Sequence, residues 1–515
     1  MKNKGFLKYM SVLLAAMLLL SGCKGDKTSE EKNIQKNSHS IVLQMRIPSS
    51  LNPLDAENMS VRDAFSLCYE PLFALDDMME PQGVLARSIQ IADDARSAVI
   101  MLKDTVTWHD GVKFTSGDVI HTINLLKENP HLQYADCVKY IESAQSIDPL
   151  SLKITLSRPY GQIAYSLTFP IVAAHNGELG ENIVGTGAYK LKKYLVSTSL
   201  ELERFEKWHG GEAVCENVTV SVIRDMQTAT SAFNTGVINA TTGESFDLQN
   251  STPRSSARTT LYPSLKYEFM AFNQKSGIFS SQSVRAAISC AIDRNAIAGE
   301  CYLGAADGAN APLHPSALEI TAASTIAQYN LANAHEMLFF EGYSFDEETR
   351  LLRNDKGEKL SFSLLVNNDN QSRIKTAQLI KKQLFDAGIE VNVKELAFED
   401  YKREIEGGHF DAYLGGTRLG NLYDFEFLFS DGGALNNYGY TSDYMNLALS
   451  AIASSPSKDS LSDAVFNFEE VFSREQPLCG LVFCKDTLIT GEKVMGKLQP
   501  QPLFPYKNIS RWSVK

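Results

Sequence analysis

The chain has 515 residues, of which 44% are hydrophobic, and its formal net charge is −12. A chain of this length is expected to form two or more domains, each with its own core. The acidic balance repels nucleic acid and anionic lipid headgroups, so no nucleic-acid partner is predicted.

The first residues have the layout of a secretory signal, with lysines ahead of an apolar run that ends at Leu20. That run is too short to span a bilayer, which takes about 20 residues. The sequence from Leu20 to Cys23 resembles the lipobox of bacterial lipoproteins, in which the cysteine is acylated. This resemblance implies a signal peptide over residues 1–22 and a lipid anchor at Cys23, on the extracytoplasmic face of the cell membrane. The alternative is an ordinary signal with a chance cysteine.

Residues 24 to 40 contain too few large apolar residues to bury against a core, so residues 23–40 are predicted to be a flexible tether. The cysteines after it have spacings that match no disulfide scaffold or metal site. We expect them to be buried free thiols. They are Cys68, Cys137, Cys215, Cys290, Cys301, Cys479 and Cys484.

Short alternating stretches dominate the chain before residue 260, whereas clear helical patterns follow it. The polar segment 251–260 predicts a crossover between domains. Downstream, helices are predicted in SVRAAISCAIDR, from about Thr325 to Phe340, and in QSRIKTAQLIKKQLFDAG, and IEVNVKEL is predicted to be a strand. Alternating helices and strands indicate an α/β fold.

Two motifs that suggest chemistry are interpreted as structure. TWHDG, residues 107–111, ends in the turn signal Asp-Gly, so its His-Asp pair is not taken as catalytic. GTGAYKL, residues 185–191, lacks the spacing of a phosphate loop and is interpreted as a turn. Arg285, in the predicted helix SVRAAISCAIDR, is expected to bind a neighbouring helix. Asp293 is expected to cap the helix that follows.

Several stretches together carry a family resemblance. They include SLNPLDAE at 50–57, YEPLFALDD at 69–77, GTGAYKL, FEKWHGGE at 205–212, and longer matches over 84–123, 268–297 and 386–416. In order and spacing, this set resembles the extracellular solute-binding proteins of family 5, which serve oligopeptide and nickel ABC transporters.

The resemblance implies an α/β, two-lobed fold of the periplasmic-binding-protein type II kind. The first lobe is expected to be discontinuous, with an inserted subdomain. It would comprise residues 41–265 and a C-terminal return at 486–515, with residues 266–485 forming the second lobe. The implied function is capture of a peptide or small solute for an ABC permease and its ATPase. The protein is expected to be a monomeric binding protein without a cofactor, and not an enzyme.

The resemblance also implies where the ligand binds. In the first lobe, an irregular loop containing Glu57, Asn58 and Met59 follows SLNPL and offers backbone to an extended peptide. In the second lobe, the predicted loop 416–427 follows a strand end, where ligands of α/β proteins collect. The predicted ligand-binding residues of the second lobe are Tyr267, Thr417, Arg418, Leu419, Asn421 and Tyr423.

The chain departs from the family at the position that binds the peptide amine. Relatives carry a tryptophan and an aspartate there, whereas this chain aligns Thr417 and Gly420. Asp424 substitutes for that aspartate only if the loop is shifted. Because Arg418 is a fixed cation nearby, we expect the site to favour a carboxylate or another anion.

Three alternatives remain at this point. The same fold can serve as a sensor that signals without import, and a nickel or haem ligand is conceivable from Met59 and the scattered histidines. A lipid-anchored hydrolase is the weakest alternative. The sequence contains neither an H-E-x-x-H nor a G-x-S-x-G motif.

Overall fold

The computed structural model describes residues 40–56, 58–177, 180, 182–244, 253–275, 277–317 and 328–515. The predicted signal peptide, the anchor at Cys23 and nearly all of the tether lie outside the described residues, and so does Glu57.

Strands and short or medium helices alternate along the described chain. The strands are β1 (Ser40–Met45), β2 (Phe73–Leu75), β3 (Pro81–Gly83), β4 (Ala86–Ile91), β5 (Ser97–Leu102), β6 (Ile141–Asp148), β7 (Ser151–Leu156), β8 (Tyr189–Leu195), β9 (Ser199–Arg204), β10 (Asn217–Val222), β11 (Ala240–Glu244), β12 (Arg258–Phe272), β13 (Ala306–Gly308), β14 (Ser344–Phe345), β15 (Leu352–Arg353), β16 (Ser361–Asn367), β17 (Glu390–Leu396), β18 (Ala412–Arg418), β19 (Leu478–Thr490), β20 (Val494–Met495) and β21 (Ser513–Val514). The helices are α1 (Met59–Phe65), α2 (Ser116–Glu128), α3 (Ile163–Ser166), α4 (Met226–Thr235), α5 (Gln282–Cys290), α6 (Arg294–Ala296), α7 (Leu331–Phe340), α8 (Gln371–Asp386), α9 (Phe398–Glu406), α10 (Glu426–Phe429), α11 (Asp443–Ala453) and α12 (Lys458–Glu475).

The first lobe contains two four-stranded sheets. One has the order β1-β10-β9-β8, in which β1 is parallel to β10 and the other pairs are antiparallel. The other, β4-β5-β7-β6, is antiparallel and belongs to the inserted subdomain. A single core joins both sheets to the C-terminal return, since Ile41, Trp108 and Trp512 are buried in the same hydrophobic cluster.

The second lobe is built on a seven-stranded sheet. Its order is β11-β19-β12-β18-β16-β17, with β13 paired to β19. Strand β16 runs parallel to β17 and β18, and helix α8 buries Ala377, Ile380 and Leu384 against the sheet.

Strands β12 and β19 cross from one lobe to the other as an antiparallel pair. Arg258 to Pro263 pair with Lys485 to Thr490, the register then shifts, and Tyr267 to Ala271 pair with Leu478 to Phe483. The hydrophobic cores change at the same place, because Tyr262 belongs to the first core and Leu265 to the second. We propose lobe boundaries beside this shift, at the predicted positions near 265 and 485.

Predictions of single helices and strands are confirmed where the hydrophobic pattern is strong. Helix α8 is capped by Asn370, and Gly388, at φ 84°, ends it before β17 as expected. The helix predicted from about Thr325 begins only at Leu331, because the Asn330 side chain accepts a hydrogen bond from the Asn333 amide and caps it there. Residues 318–327 lie outside the described chain.

TWHDG is a turn, as predicted, whereas GTGAYKL is a bend at residues 186–188 that leads into strand β8. Gly111, with φ 91°, lies in a tight turn in which its N–H donates to the Trp108 carbonyl oxygen. The backbone of Gly185 packs directly against the backbone of Cys68. A Cβ at residue 185 would lie 1.8 Å from the Cys68 carbonyl oxygen, so glycine is needed there.

None of the seven cysteines of the described chain is in a disulfide bond; six are buried and Cys137 is half-buried. Among the described residues, no helix combines the length and apolarity that crossing a membrane requires.

Candidate functional site

Two adjoining cavities meet at Arg418 of β18, and their other described lining residues lie outside residues 266–485. The first cavity, with a volume of about 60 Å³, has largely apolar walls that include Tyr69, Tyr262 and Phe504. The second cavity, of about 330 Å³, is more polar. Met59, Arg62 and Arg418 line both cavities.

Helix α1 brings the first-lobe residues to the cavities. Asn58 is its N-cap, and its side-chain oxygen accepts hydrogen bonds from the Ser60 amide at 3.0 Å and the Ser60 hydroxyl at 2.7 Å. Met59 is therefore helical, and the prediction of an irregular loop through this residue is wrong. Capping by asparagine is the local reason that the helix begins here.

Arg418 reaches the cavities from the second lobe. It is the last residue of β18 and pairs with Lys266, so the prediction that a loop begins at 416 is wrong. Its Nη2 lies 3.8 Å from Glu244 Oε1, 3.8 Å from Asp486 Oδ2 and 4.0 Å from Met59 Sδ. These ion-pair distances exceed ordinary hydrogen-bond lengths, so the guanidinium is held loosely.

Two buried carboxylates in the wall of the first cavity were missed by sequence reasoning. Burial raises the pKa of the Asp63 carboxyl to about 7, although a hydrogen bond from Thr242 Oγ1 at 2.8 Å opposes the shift. Burial likewise raises the pKa of Asp486 to about 6, against the opposing charge of Arg418. Asp486 carried a partial signal, because it interrupts a largely apolar face of β19, whereas Asp63 lies one helical turn from Ser60 and Ser66 and carried none.

Several predicted site residues line neither cavity. Tyr267 is buried in the second core, where its phenol donates to the Asn310 carbonyl oxygen at 3.3 Å. Leu419 is also buried in that core, and Thr417 is half-buried within β18.

Asn421 and Tyr423 contact the inserted subdomain instead of the cavities. The Asn421 amide donates to the Tyr160 hydroxyl at 2.7 Å, and the Tyr423 ring packs edge-on against Tyr165 at 5.2 Å between centroids. Asp424 forms an ion pair with Lys139 Nζ at 2.8 Å, so its carboxylate is already engaged. Asn58, Met59 and Arg418 are thus the described predicted residues that the structure brings together.

Within the described ranges, no three His, Cys, Asp or Glu side chains form a group that could hold a metal ion.

A family model matches residues 80–438, which is more than half of the chain, and its description is "Bacterial extracellular solute-binding proteins, family 5 Middle". The chain belongs to this family of solute-binding proteins, as the sequence resemblance predicted. The fold agrees, because the chain has two α/β lobes, the first of them discontinuous.

Among curated proteins, the chain is similar to the oligopeptide-binding protein AppA of Bacillus subtilis (strain 168), with 24% identity over 82% of each chain. It is also 24% identical to the glutathione-binding protein GsiB of Pectobacterium atrosepticum, over 70% of this chain and 69% of that protein. Among solved structures, NikZ from Campylobacter jejuni in complex with Ni(L-His) covers 93% of this chain and 100% of its own, with 21% identity and a TM-score of 0.68. The structural likeness shows a shared fold.

Proposed function

We propose that the protein captures a solute between its lobes for an ABC importer and that Arg418 holds an anionic group of that solute. One observation carries this proposal. Among the described residues that line the two cavities, Arg418 is the only one that lies between the proposed lobe boundaries near 265 and 485. A solute drives closure only if it binds the closed form more tightly than the open form, so it has to contact both lobes.

The charges around Arg418 favour an anion. Asp63 and Asp486, with pKa values raised to about 7 and about 6, carry less negative charge near neutral pH than ordinary aspartates, and Glu244 is the other carboxylate beside Arg418. Arg62 lies in the same walls. A carboxylate accepts two parallel N–H bonds from a guanidinium, which is shorter and stronger pairing than Arg418 has with its own carboxylates.

The ligands named for the relatives agree with this chemistry. Oligopeptides, glutathione and Ni(L-His) all carry carboxylate groups. The missing aspartate at Gly420 and the engaged carboxylate of Asp424 argue in the same direction, because neither offers a partner for a free amine.

Calorimetric titration tests the role of Arg418. The solute released from gently purified protein would be identified by mass spectrometry and titrated into wild type and Arg418→Ala. Truncating one partner of a buried charge pair costs about 2–5 kcal/mol, so we expect affinity to fall by at least about 30-fold. Arg87→Ala, at an exposed position of the first lobe, is the matched control. Unchanged affinity in Arg418→Ala would refute the proposal.

We also propose the setting in which capture occurs. A lipid anchor at Cys23 and the tether 23–40 would hold a monomeric binding protein beside its permease and ATPase, without catalysis by this chain. The family is described as extracellular, which supports an extracytoplasmic location.

A further inference from the structure

We propose that an interlobe clasp, separate from the solute cavities, stabilises the closed form and populates it before solute binds. The clasp is the contact between residues 139–166 of the inserted subdomain and residues 421–455 of the second lobe. The inference builds on the proposed capture function, because it concerns how readily the same two lobes close.

Charged side chains form the outer part of the clasp. The guanidinium of Arg158 binds both carboxylate oxygens of Glu426, one of them at 2.9 Å, and the Tyr140 hydroxyl donates to the same carboxylate at 3.2 Å. Lys139 and Asp424 add the second ion pair, at 2.8 Å. The paired, planar arrangement of Arg158 and Glu426 is the strong geometry for an ion pair.

A buried amide forms the centre of the clasp. Besides the Tyr160 hydroxyl, Asn421 Nδ2 donates to the Ser166 hydroxyl at 3.1 Å, and its Oδ1 accepts from the Tyr423 amide at 3.0 Å. Opening the clasp exposes these groups to water and gives up bonds made in a buried setting.

Backbone contact forms the third part. The Gly161 N–H donates to the Ala453 carbonyl oxygen at 2.8 Å, and the side-chain Nε2 of Gln162 donates to the Ser455 carbonyl oxygen at 3.1 Å. A Cβ at residue 161 would lie 1.8 Å from the Ser455 oxygen, and the next two nearest atoms also belong to the second lobe. Glycine is therefore required by the contact between lobes and not by the first lobe itself.

The clasp needs no solute. None of its residues named above lines either cavity, and all of its bonds join protein atoms. If the closed form is the form that holds solute, its population in the free protein multiplies the apparent affinity. The clasp thus sets how much binding energy the solute itself has to supply for closure.

Gly161→Ala tests the clasp with little effect on either lobe. Gly161 is not among the residues with positive φ, so alanine fits the local backbone. The matched control is Gly299→Ala, since a Cβ there meets nothing within 4 Å. Solute would be stripped by reversible unfolding, and the radius of gyration measured by small-angle X-ray scattering. We expect a larger radius for Gly161→Ala than for wild type and the control. Equal radii for all three would overturn the proposal.

A charge swap provides the second test if Gly161→Ala folds poorly. Arg158→Glu and Glu426→Arg should each open the solute-free protein, and the double variant should restore compact scattering. Failure of both single variants to change the scattering would contradict the clasp.

The clasp and the proposed function fail separately. The scattering measurements use solute-free protein and leave Arg418 intact, whereas the calorimetric test changes Arg418 and leaves the clasp intact. If the clasp variants have a larger radius but Arg418→Ala binds solute as tightly as wild type, the anion site alone is refuted. If the clasp variants have an unchanged radius but Arg418→Ala loses affinity, the clasp alone is refuted.

Discussion

Asp63 makes stability depend on pH at the scale of a single residue. Its folded-state pKa of about 7 lies above the ordinary value of 3.8, so folding favours the protonated carboxyl. The stabilising effect is complete below the ordinary pKa and is lost as the pH rises through about 7. Asp486 contributes in the same direction over a slightly lower range.

We therefore expect the wild-type protein to be less stable at about pH 8 than at about pH 5, by about 3 kcal/mol for Asp63 alone. Asp63→Asn should flatten this dependence while keeping the hydrogen bond to Thr242. Thermal unfolding followed by circular dichroism at the two pH values measures the effect. Asp104→Asn, at an exposed position, should leave the dependence unchanged. An equally steep dependence in Asp63→Asn would show that other groups cause it.

The type and sequence context of each residue explain which parts of the candidate site could be predicted from the sequence. Arg418 was identifiable because an arginine follows an apolar strand at a position where the sequence resemblance implies ligand binding. Asp63 and Asp486 were not chosen, because whether a carboxylate in an apolar segment faces solvent or a cavity depends on the packing of α1 and β19. Burial of an ionisable group is a tertiary property, and no local pattern fixes it.

At the scale of elements, Arg285 ties helix α5 to the end of helix α12. It is 5% exposed, and its guanidinium donates to the carbonyl oxygens of Glu475 at 2.7 Å, Gln476 at 3.0 Å and Phe279 at 2.8 Å. The last carbonyl groups of a helix lack partners within the helix, so this arginine satisfies them.

Replacing Arg285 by leucine should lower the free energy of unfolding of the second lobe by about 3 kcal/mol, because hydrogen bonds to a charged group are lost and buried carbonyl groups are left unpaired. Urea unfolding followed by intrinsic fluorescence measures this. Arg403→Leu, at an exposed site on α9, should change the midpoint little. Similar midpoints for both variants would contradict the assigned role.

Element predictions succeeded where the information was local. The apolar spacing of α8 and the alternation of β17 lie within their own segments. The clasp was not foreseen, because Arg158 and Glu426 are 268 residues apart and nothing near either residue marks its partner. For the same reason Asn421 and Tyr423 were assigned to ligand, whereas the structure places them against the inserted subdomain.

At the scale of the whole molecule, the first lobe depends on the far end of the chain. Trp512 is fully buried in the core that also contains Ile41 and Trp108, although it is separated from them by the entire second lobe. Its indole N–H donates to the Lys497 carbonyl oxygen at 3.3 Å.

Trp512→Ala should destabilise the first lobe by about 3–5 kcal/mol, since truncation of a buried aromatic leaves a cavity. Hydrogen exchange monitored by mass spectrometry would resolve the two lobes, and we expect faster exchange in β1 and β10 with little change in β16 and β17. Phe340→Ala, at a position 85% exposed, is the control. Equal acceleration in both lobes would show that they unfold as one unit.

The position of β19 has a consequence for how the polypeptide folds. This strand lies between β11 and β12, yet it follows all the other strands of that sheet in the chain. Until it arrives, the edges of β11 and β12 have no central partner, and neither half of the nascent chain can complete its sheet. Pairing between such distant segments is slow and leaves strand edges open to aggregation. Protection of these edges by chaperones would matter most in the interval before β19 pairs with them.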